Sequence, residues 1–129
     1  MNNLLTIRQV AERTELSADT LRYYERIGLI TGIKRGPNLH RAYAEADITW
    51  ILFLKQLRQT GMSISQMKQF AQLRREGDAS IAARRIMLED HRARLNQQIE
   101  LMQNFITVID TKISRHEQRE RDLRGETDE

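Results

Sequence analysis

Residues 17–30 read SADTLRYYERIGLI and predict a short helix that ends in a tight turn. Ser17 suits the N-cap, because its hydroxyl can accept a hydrogen bond from a free amide of the first turn. Leu21, Tyr24 and Ile27 recur at helical spacing, and Gly28 suits the left-handed position after a helix. One face of this helix therefore belongs to a core, and the other face is polar.

Another short helix precedes this one. Thr6 followed by Gln9 is a capping-box pattern, which opens a helix over residues 7–13. Ile7 and Val10 share its apolar face. Two short helices joined by a tight turn predict a helix-turn-helix, although many helical hairpins share this pattern.

The polar face of the second helix carries groups that suit DNA. Arg22 offers a guanidinium and Tyr23 a phenol, both able to reach phosphates or base edges. Residues 30–43 then predict a basic, turn-rich hairpin. Residues 22–41 contain five basic side chains and one acidic side chain, so their net charge of +4 exceeds the +3 of the whole chain. This concentration indicates a polyanionic partner, whereas a solvated helix face is the alternative for Arg22 and Arg26.

Two further helices complete a predicted head over residues 1–77. Residues 47–59 are strongly apolar and predict a core helix. Either Ser63 or Ser65 caps a fourth helix, which ends at Gly77.

The remaining sequence predicts one long helix, because residues 78–124 contain neither Gly nor Pro. Its apolar residues form two heptad series typical of a coiled-coil seam. These series are Leu88, Leu95, Met102 and Ile109, and Ile99, Ile106 and Ile113. A small head cannot cover so long a helix, so we expect a homodimer rather than a monomeric bundle. We predict a dimerisation helix over residues 78–117 and a charged, disordered tail over residues 118–129.

Composition narrows the classes of function. The 129 residues include 21 Lys and Arg, 18 Asp and Glu and no Cys, which excludes disulfides, Cys-based zinc sites and thiol nucleophiles. The predicted fold is all-α with a small β wing: a winged helix-turn-helix head followed by a long C-terminal coiled-coil helix. No segment resembles a signal peptide or membrane span, so we expect a soluble, cytoplasmic protein with no membrane partner.

Enzyme chemistry and metal binding have little support in the sequence. His40, His91 and His116 are scattered, and no nucleophile elbow or phosphate-cradling glycine motif is present. Glu89, Asp90 and His91 are adjacent, so on a helix they point in different directions. We therefore predict no catalytic residues, no metal and no cofactor.

The run SADTLRYYERIGLI over residues 17–30, followed by Arg41, Ala42 and Tyr43, closely resembles the signature of MerR-family transcriptional regulators. FLKQL at 53–57 and TGMSI at 60–64 are most similar to the aldehyde-responsive, AdhR/NmlR-like subgroup. The resemblance implies a homodimer joined by an antiparallel coiled coil. It also implies binding to a pseudo-palindromic promoter operator in double-stranded DNA, on the bacterial nucleoid. Transcription would be activated or repressed by distorting the DNA, with RNA polymerase as a partner.

The resemblance, together with the cap and face residues, yields a set of candidate DNA-binding residues on the second helix and in the first wing. They are Ser17, Thr20, Arg22, Tyr23, Tyr24, Lys34, Arg35, His40 and Arg41. The alternative function is an architectural or recombination-accessory protein, which bends DNA without acting on transcription.

The sequence departs from the family pattern at three places. Glu15 stands where the turn between the first two helices commonly has Gly, which costs about 1 kcal/mol if its φ is positive. Leu39, His40 and Arg41 replace the usual Gly-Tyr-Arg of the wing. Gln56 occupies the position where the aldehyde-responsive subgroup has its reactive cysteine, so thiol-based sensing has no nucleophile here.

Overall fold

The computed structural model describes residues 4–36 and 40–125. The elements of this part form a mostly helical chain with one small hairpin. In order, they are α1 (Ile7–Thr14), α2 (Ala18–Arg26), β1 (Lys34–Arg35), β2 (Arg41–Ala42), α3 (Glu45–Gln59), α4 (Ile64–Arg75), a 3-10 helix (Gly77–Ser80) and α5 (Ile81–Leu123). The predicted fold class is confirmed.

The first two helices begin at the predicted caps. Thr6 Oγ1 accepts a hydrogen bond from the Gln9 amide at 3.1 Å, and the Thr6 amide donates to Gln9 Oε1 at 2.8 Å. Ser17 Oγ accepts from the Thr20 amide at 3.0 Å. These bonds satisfy amide groups that have no partner within the helix, which fixes where α1 and α2 start.

The turn between α1 and α2 contains Glu15 in a left-handed conformation, with φ of 58° and ψ of 28°. Glu15 is the sole non-glycine residue with positive φ in the described part of the chain. Lys55 of α3 donates from Nζ to the Thr14 carbonyl at 2.8 Å and lies 3.7 Å from a Glu15 carboxylate oxygen. A cation at the carboxyl end of α1 is electrostatically favourable, so Lys55 stabilises this strained turn.

The wing is an antiparallel hairpin in which Lys34 faces Ala42 and Arg35 faces Arg41. Its base is joined to the chain before α1 by two backbone hydrogen bonds between Leu5 and Tyr43, at 2.7 and 2.8 Å. The predicted departure at Leu39, with the rest of residues 37–39, lies outside the described residues.

The core lies between α1, α2, α3 and α4 and contains Val10, Leu21, Tyr24, Leu29, Ile30, Tyr43, Ile48, Trp50, Ile51, Leu54, Leu57, Met62, Met67, Phe70 and Ala71. Trp50 stacks on Phe70 and donates from Nε1 to the Leu29 carbonyl at 2.8 Å. Ser63, rather than Ser65, caps α4 by accepting from the Gln66 amide at 3.1 Å.

The chain divides into two compact units, one up to Leu88 and one from Glu89 onward. The helix α5 has 43 residues, about 65 Å at 1.5 Å per residue. Only one of its residues is buried in the described chain, and that residue is His91.

The boundaries of the long helix differ from those predicted. It begins at Ile81, after the 3-10 turn, and it continues to Leu123. The expectation of a disordered tail is therefore wrong for residues 118–123, where Gln118 bonds with both Asp122 and Arg121 one turn away. Charged residues favour helix when such pairs form, so charge alone is a poor sign of disorder here. Residues 126–129 lie outside the described part.

Within residues 4–36 and 40–125, no helix is both long enough and apolar enough to cross a bilayer.

Candidate nucleic-acid interface

The helix α2 presents a polar face made of its first turn and its middle. Arg22 has a side chain that is 47% exposed and lies 3.1 Å from Asp19, one turn earlier. Tyr23 is also exposed, and the guanidinium of Arg26 lies 5.4 Å from the centre of its ring. These three side chains present two cations and a phenol to solvent, as a phosphate or base-edge contact requires.

Three candidate DNA-binding residues, two on α2 and one at its N-cap, have structural roles. Tyr24 is 6% exposed and packs in the core, and this burial raises the pKa of its phenol. Its assignment as a DNA-facing residue is corrected, because it lies on the apolar face with Leu21. Ser17 donates its hydroxyl proton to Thr20 Oγ1 at 2.9 Å while capping α2, so both hydroxyls hold the helix start.

The wing carries the other candidate DNA-binding residues. Lys34 and Arg35 are exposed on β1, and His40 is exposed where the chain enters β2. The Gly36 amide donates to the His40 carbonyl at 2.8 Å, which closes the described part of the hairpin. Arg41 points back to α2, where its Nε donates to Glu25 Oε2.

A cleft of about 370 Å³ lies between the first turn of α1, the middle of α2 and the wing. Its basic lining residues are Arg8, Arg22, Arg35, His40 and Arg41, and none of the described residues that line it is acidic. Thr6 and Ile7 bring the start of α1 to the same cleft, where the helix end carries partial positive charge. The cleft is therefore suited to an anion.

Arg8 is the member of this cleft that the sequence interpretation missed. It lies in the first turn of α1, where an acidic residue would be favoured and where α1 has none. A cation at the positive end of a helix is the signal that could have identified it.

Several other cations stabilise the head. Arg13 forms a bidentate pair with Glu45 at 2.6 and 2.9 Å, and this hydrogen bonding lowers the pKa of the Glu45 carboxyl. Arg74 lies over the Trp50 ring at 4.2 Å, and Arg75 donates to the Gly28 carbonyl at 2.9 Å. Net charge therefore overstates the number of cations available to a ligand.

Tyr43 lies beneath the wing and is fully buried. Its hydroxyl has no hydrogen-bond partner among the described residues. Burial raises the pKa of this phenol, and the nearby Glu25 carboxylate raises it further. Tyr43 therefore remains neutral, and its buried side chain packs between the wing and α2.

Gln56, at the position of the missing sensor cysteine, is exposed on α3. Its carbonyl accepts from the Thr60 hydroxyl at 2.7 Å at the end of the helix. No group of three or more His, Asp or Glu side chains in the described residues is arranged to hold a metal.

The predicted dimer residues lie on α5, and most are exposed. Between Ile99 and Ile113, eight large apolar side chains are 40 to 68% exposed. They comprise the seam residues Ile99, Met102, Ile106, Ile109 and Ile113 and the neighbouring Leu101, Phe105 and Val108. Of the two earlier seam residues, Leu88 is exposed and Leu95 is half-buried.

Comparison with known families agrees with this geometry. Residues 5–73 match the MerR HTH family regulatory protein model, and residues 48–112 match the MerR, DNA binding model. The chain therefore belongs to the MerR family of helix-turn-helix transcriptional regulators, and its head is a DNA-binding domain of that family.

One individual relative is similar to a large part of the chain. The HTH-type transcriptional regulator AdhR of Bacillus subtilis (strain 168) is 46% identical over 91 residues, which are 70% of this chain and 65% of AdhR. The chain thus spans slightly less than two-thirds of that relative. The predicted likeness to AdhR is confirmed.

Two crystal structures share the fold over nearly the whole chain. A protein from Listeria monocytogenes assigned to the MerR family has a TM-score of 0.86 and 36% identity, with coverage of 94% of this chain and 92% of that chain. HiNmlR, a MerR family regulator lacking the sensor domain and bound to promoter DNA, has a TM-score of 0.83 and 27% identity, with coverage of 95% and 96%.

Proposed function

We propose that this chain is a homodimeric transcriptional regulator that binds a pseudo-palindromic promoter operator and acts by distorting it. The observation that carries the proposal is the cleft between α1, α2 and the wing, whose described lining residues include four guanidinium groups and no carboxylate. The ligand class that fits it is the phosphodiester backbone of DNA.

Recognition is assigned to the exposed face of α2. In this proposal Arg22 and Tyr23 enter the major groove, while Lys34, Arg35 and His40 follow the adjacent backbone. Thr20 supports the start of the helix. Base-edge contacts specify sequence and phosphate contacts set register, so the two groups of residues make separable contributions.

Dimerisation is assigned to the part of α5 from Leu88 to Ile113. Its apolar side chains are too exposed for a helix that remains alone in water, and a second copy of the chain would cover them. Two heads on one dimer would present two recognition helices to two half-sites, which explains the expected operator symmetry.

The antiparallel arrangement implied by the family makes a geometric prediction. Ile99, Ile106 and Ile113 are evenly spaced, so an antiparallel pair centred on Ile106 places Ile106 beside its own copy. The same arrangement places Ile99 beside the Ile113 of the second chain. The two copies of Ile99 would then be about 21 Å apart, well beyond the reach of a disulfide.

Because the chain has no cysteine, single-cysteine variants test this arrangement directly. Under mild oxidation, Ile106→Cys should form a covalent dimer and Ile99→Cys alone should not. Mixing Ile99→Cys with Ile113→Cys should restore cross-linking. Self-cross-linking of both Ile99→Cys and Ile106→Cys would indicate a parallel coil and reject the antiparallel proposal, because an antiparallel pair places only one of these positions beside its own copy.

The regulatory role is tested by footprinting on DNA flanking the chain's own gene, followed by transcription in vitro with purified RNA polymerase. We expect a protected two-fold site inside a promoter and a change in transcript level. Bending of the bound DNA without any effect on transcription would instead favour the architectural function. No specific protection at any duplex would reject DNA recognition itself.

A further inference from the structure

The wing and the recognition helix are joined by an ion pair that the sequence did not indicate. Arg41 of β2 and Glu25 of α2 are 16 residues apart, and Arg41 Nε donates to Glu25 Oε2. Both side chains are only 23% exposed, in contrast to Arg22 at 47%. The pair is therefore partly withdrawn from solvent at the junction of the two elements.

The residues around the ion pair indicate that it joins the wing to α2 and is more than a surface contact. Tyr43, which follows β2, is fully buried, and the charges of Glu25 and Arg41 both act on its phenol. Tyr43 is in turn held to Leu5 by two backbone hydrogen bonds. One side of the wing base is thus packed, and the ion pair fixes the other side against α2.

The position of Glu25 in a basic segment also supports a structural role for its carboxylate. Glu25 is the one acidic residue between positions 22 and 41, in a segment that otherwise carries five cations. A carboxylate on the recognition helix repels DNA phosphates, so by itself it opposes the proposed function. The presence of Glu25 on this helix is explained if its carboxylate orients another side chain. That side chain is Arg41, which is hydrogen-bonded to it.

We propose that Glu25 and Arg41 are positioning residues that set the wing at a fixed angle to α2, and that Arg41 acts through this pair rather than by touching DNA. This inference rests on the proposed function. It revises the assignment of Arg41 as a DNA-contacting residue and makes Lys34, Arg35 and His40 the contact residues of the wing.

The deciding variant is Glu25→Gln, which keeps the side-chain shape but removes the negative charge. If Arg41 touched phosphate, losing the nearby carboxylate would leave affinity unchanged or raise it. The positioning role predicts the opposite, an affinity about tenfold lower with an unchanged salt dependence. Affinity is measured at several salt concentrations, on the duplex that the full-length wild-type chain selects from a random-sequence library.

A matched control and a rescue accompany this variant. Glu12→Gln changes net charge equally on the exposed surface of α1, and it should bind at least as well as the wild type. The charge swap Glu25→Arg with Arg41→Glu should recover affinity to within about threefold of the wild type, because the pair is restored with reversed sign. An unrescued swap would contradict the positioning role.

Amide hydrogen exchange on the DNA-free protein gives a readout that does not depend on the operator. In Glu25→Gln, we expect about tenfold faster exchange at the wing amides of Gly36 and Tyr43, with little change in α3 and α4. Unchanged wing exchange, or a Glu25→Gln affinity equal to or above that of the wild type, would overturn the inference. A wild-type chain that selects no duplex would reject the proposed function, while the exchange experiment would still decide the role of the pair.

Discussion

The four helices of the head each bury between two and five residues, whereas the 43-residue α5 buries one described residue. The head gathers its apolar side chains around Leu54 and Met67, both fully buried within a single chain. On α5, Leu101 and Phe105 are more than 60% exposed. The difference supports the proposal that the head is complete in one chain and that a second chain covers the long helix.

The two regions also differ in the use of their charges. In the head, Arg13, Lys55 and Arg75 hold neighbouring elements together through contacts far apart in sequence. At the end of α5, Glu120 forms a local ion pair with Arg124, which directly follows the helix, at 3.9 Å. Local ion pairs stabilise the helix itself and do not hold it against another element of the same chain. This agrees with a helix that packs against a separate chain.

The largest expected effect is loss of the dimer when charge is placed on the α5 seam. We predict that Ile99→Asp with Ile106→Asp dissociates the dimer, because burying unpaired carboxylates in an apolar interface is unfavourable. Operator affinity should fall about 100-fold or more, since two linked heads no longer bind together. Light scattering measures the mass, and circular dichroism checks that the head remains folded.

The control places the same charges on the opposite side of α5. Asn96→Asp with Thr107→Asp lies away from the apolar face, and this variant should remain dimeric. A dimer that survives the seam substitutions, or one that is lost in both variants, would contradict the division between head and dimer helix.

The next effect concerns the head alone. Arg22→Ala should weaken operator binding about tenfold or more and lower the salt slope by about two per dimer if each chain contacts one phosphate through Arg22. Arg115→Ala removes the same charge from an exposed site on α5 and should leave both quantities nearly unchanged. Equal losses of affinity in the two variants would mean that binding depends on net charge and not on the position of Arg22.

A smaller effect is expected at the strained turn. Because Glu15 has φ of 58°, Glu15→Gly should raise the free energy of unfolding by up to about 1 kcal/mol. Glu12→Gly, inside α1, should lower it by about 1 kcal/mol. Urea denaturation measures both, and a destabilised Glu15→Gly variant would show that the contact between Glu15 and Lys55 outweighs the strain.

The smallest effect is a pH dependence that arises from α5. Burial lowers the pKa of His91 below its ordinary value of 6.5, with a further contribution from Arg94. Between this lowered pKa and about pH 6.5, the unfolded chain binds more protons than the folded chain, so the free energy of unfolding decreases as the solution becomes more acidic across that range. In His91→Gln this decrease between about pH 7 and pH 5 should be smaller, and an identical pH profile would contradict it.

The features that sequence predicted correctly depend on neighbours along the chain. Thr6 with Gln9 and Ser17 with Thr20 define helix starts within one turn, so their spacing was sufficient. Gly28 has φ of 86°, as its place after α2 required. Heptad spacing likewise identified the exposed apolar side of α5.

The features that sequence missed depend on contacts between distant residues. Neither the pair of Arg41 with Glu25 nor the bond from Lys55 to Thr14 has a local signature. The charge count and the family resemblance therefore assigned Arg41 to DNA contact, whereas its ion pair with Glu25 supports the positioning role that we propose. Tyr24 was ambiguous, because one helix face can be read as core or as ligand surface until its neighbours are placed.

The most direct test of the account is the stoichiometry and symmetry of the chain on DNA. Sedimentation of the wild type with its selected duplex should give two chains per duplex. Hydroxyl-radical footprinting should give two equivalent protected half-sites separated by about one helical turn of 34 Å or a multiple of it. One chain per duplex with a single protected half-site would contradict the claim that a self-contained head depends on a second copy through α5.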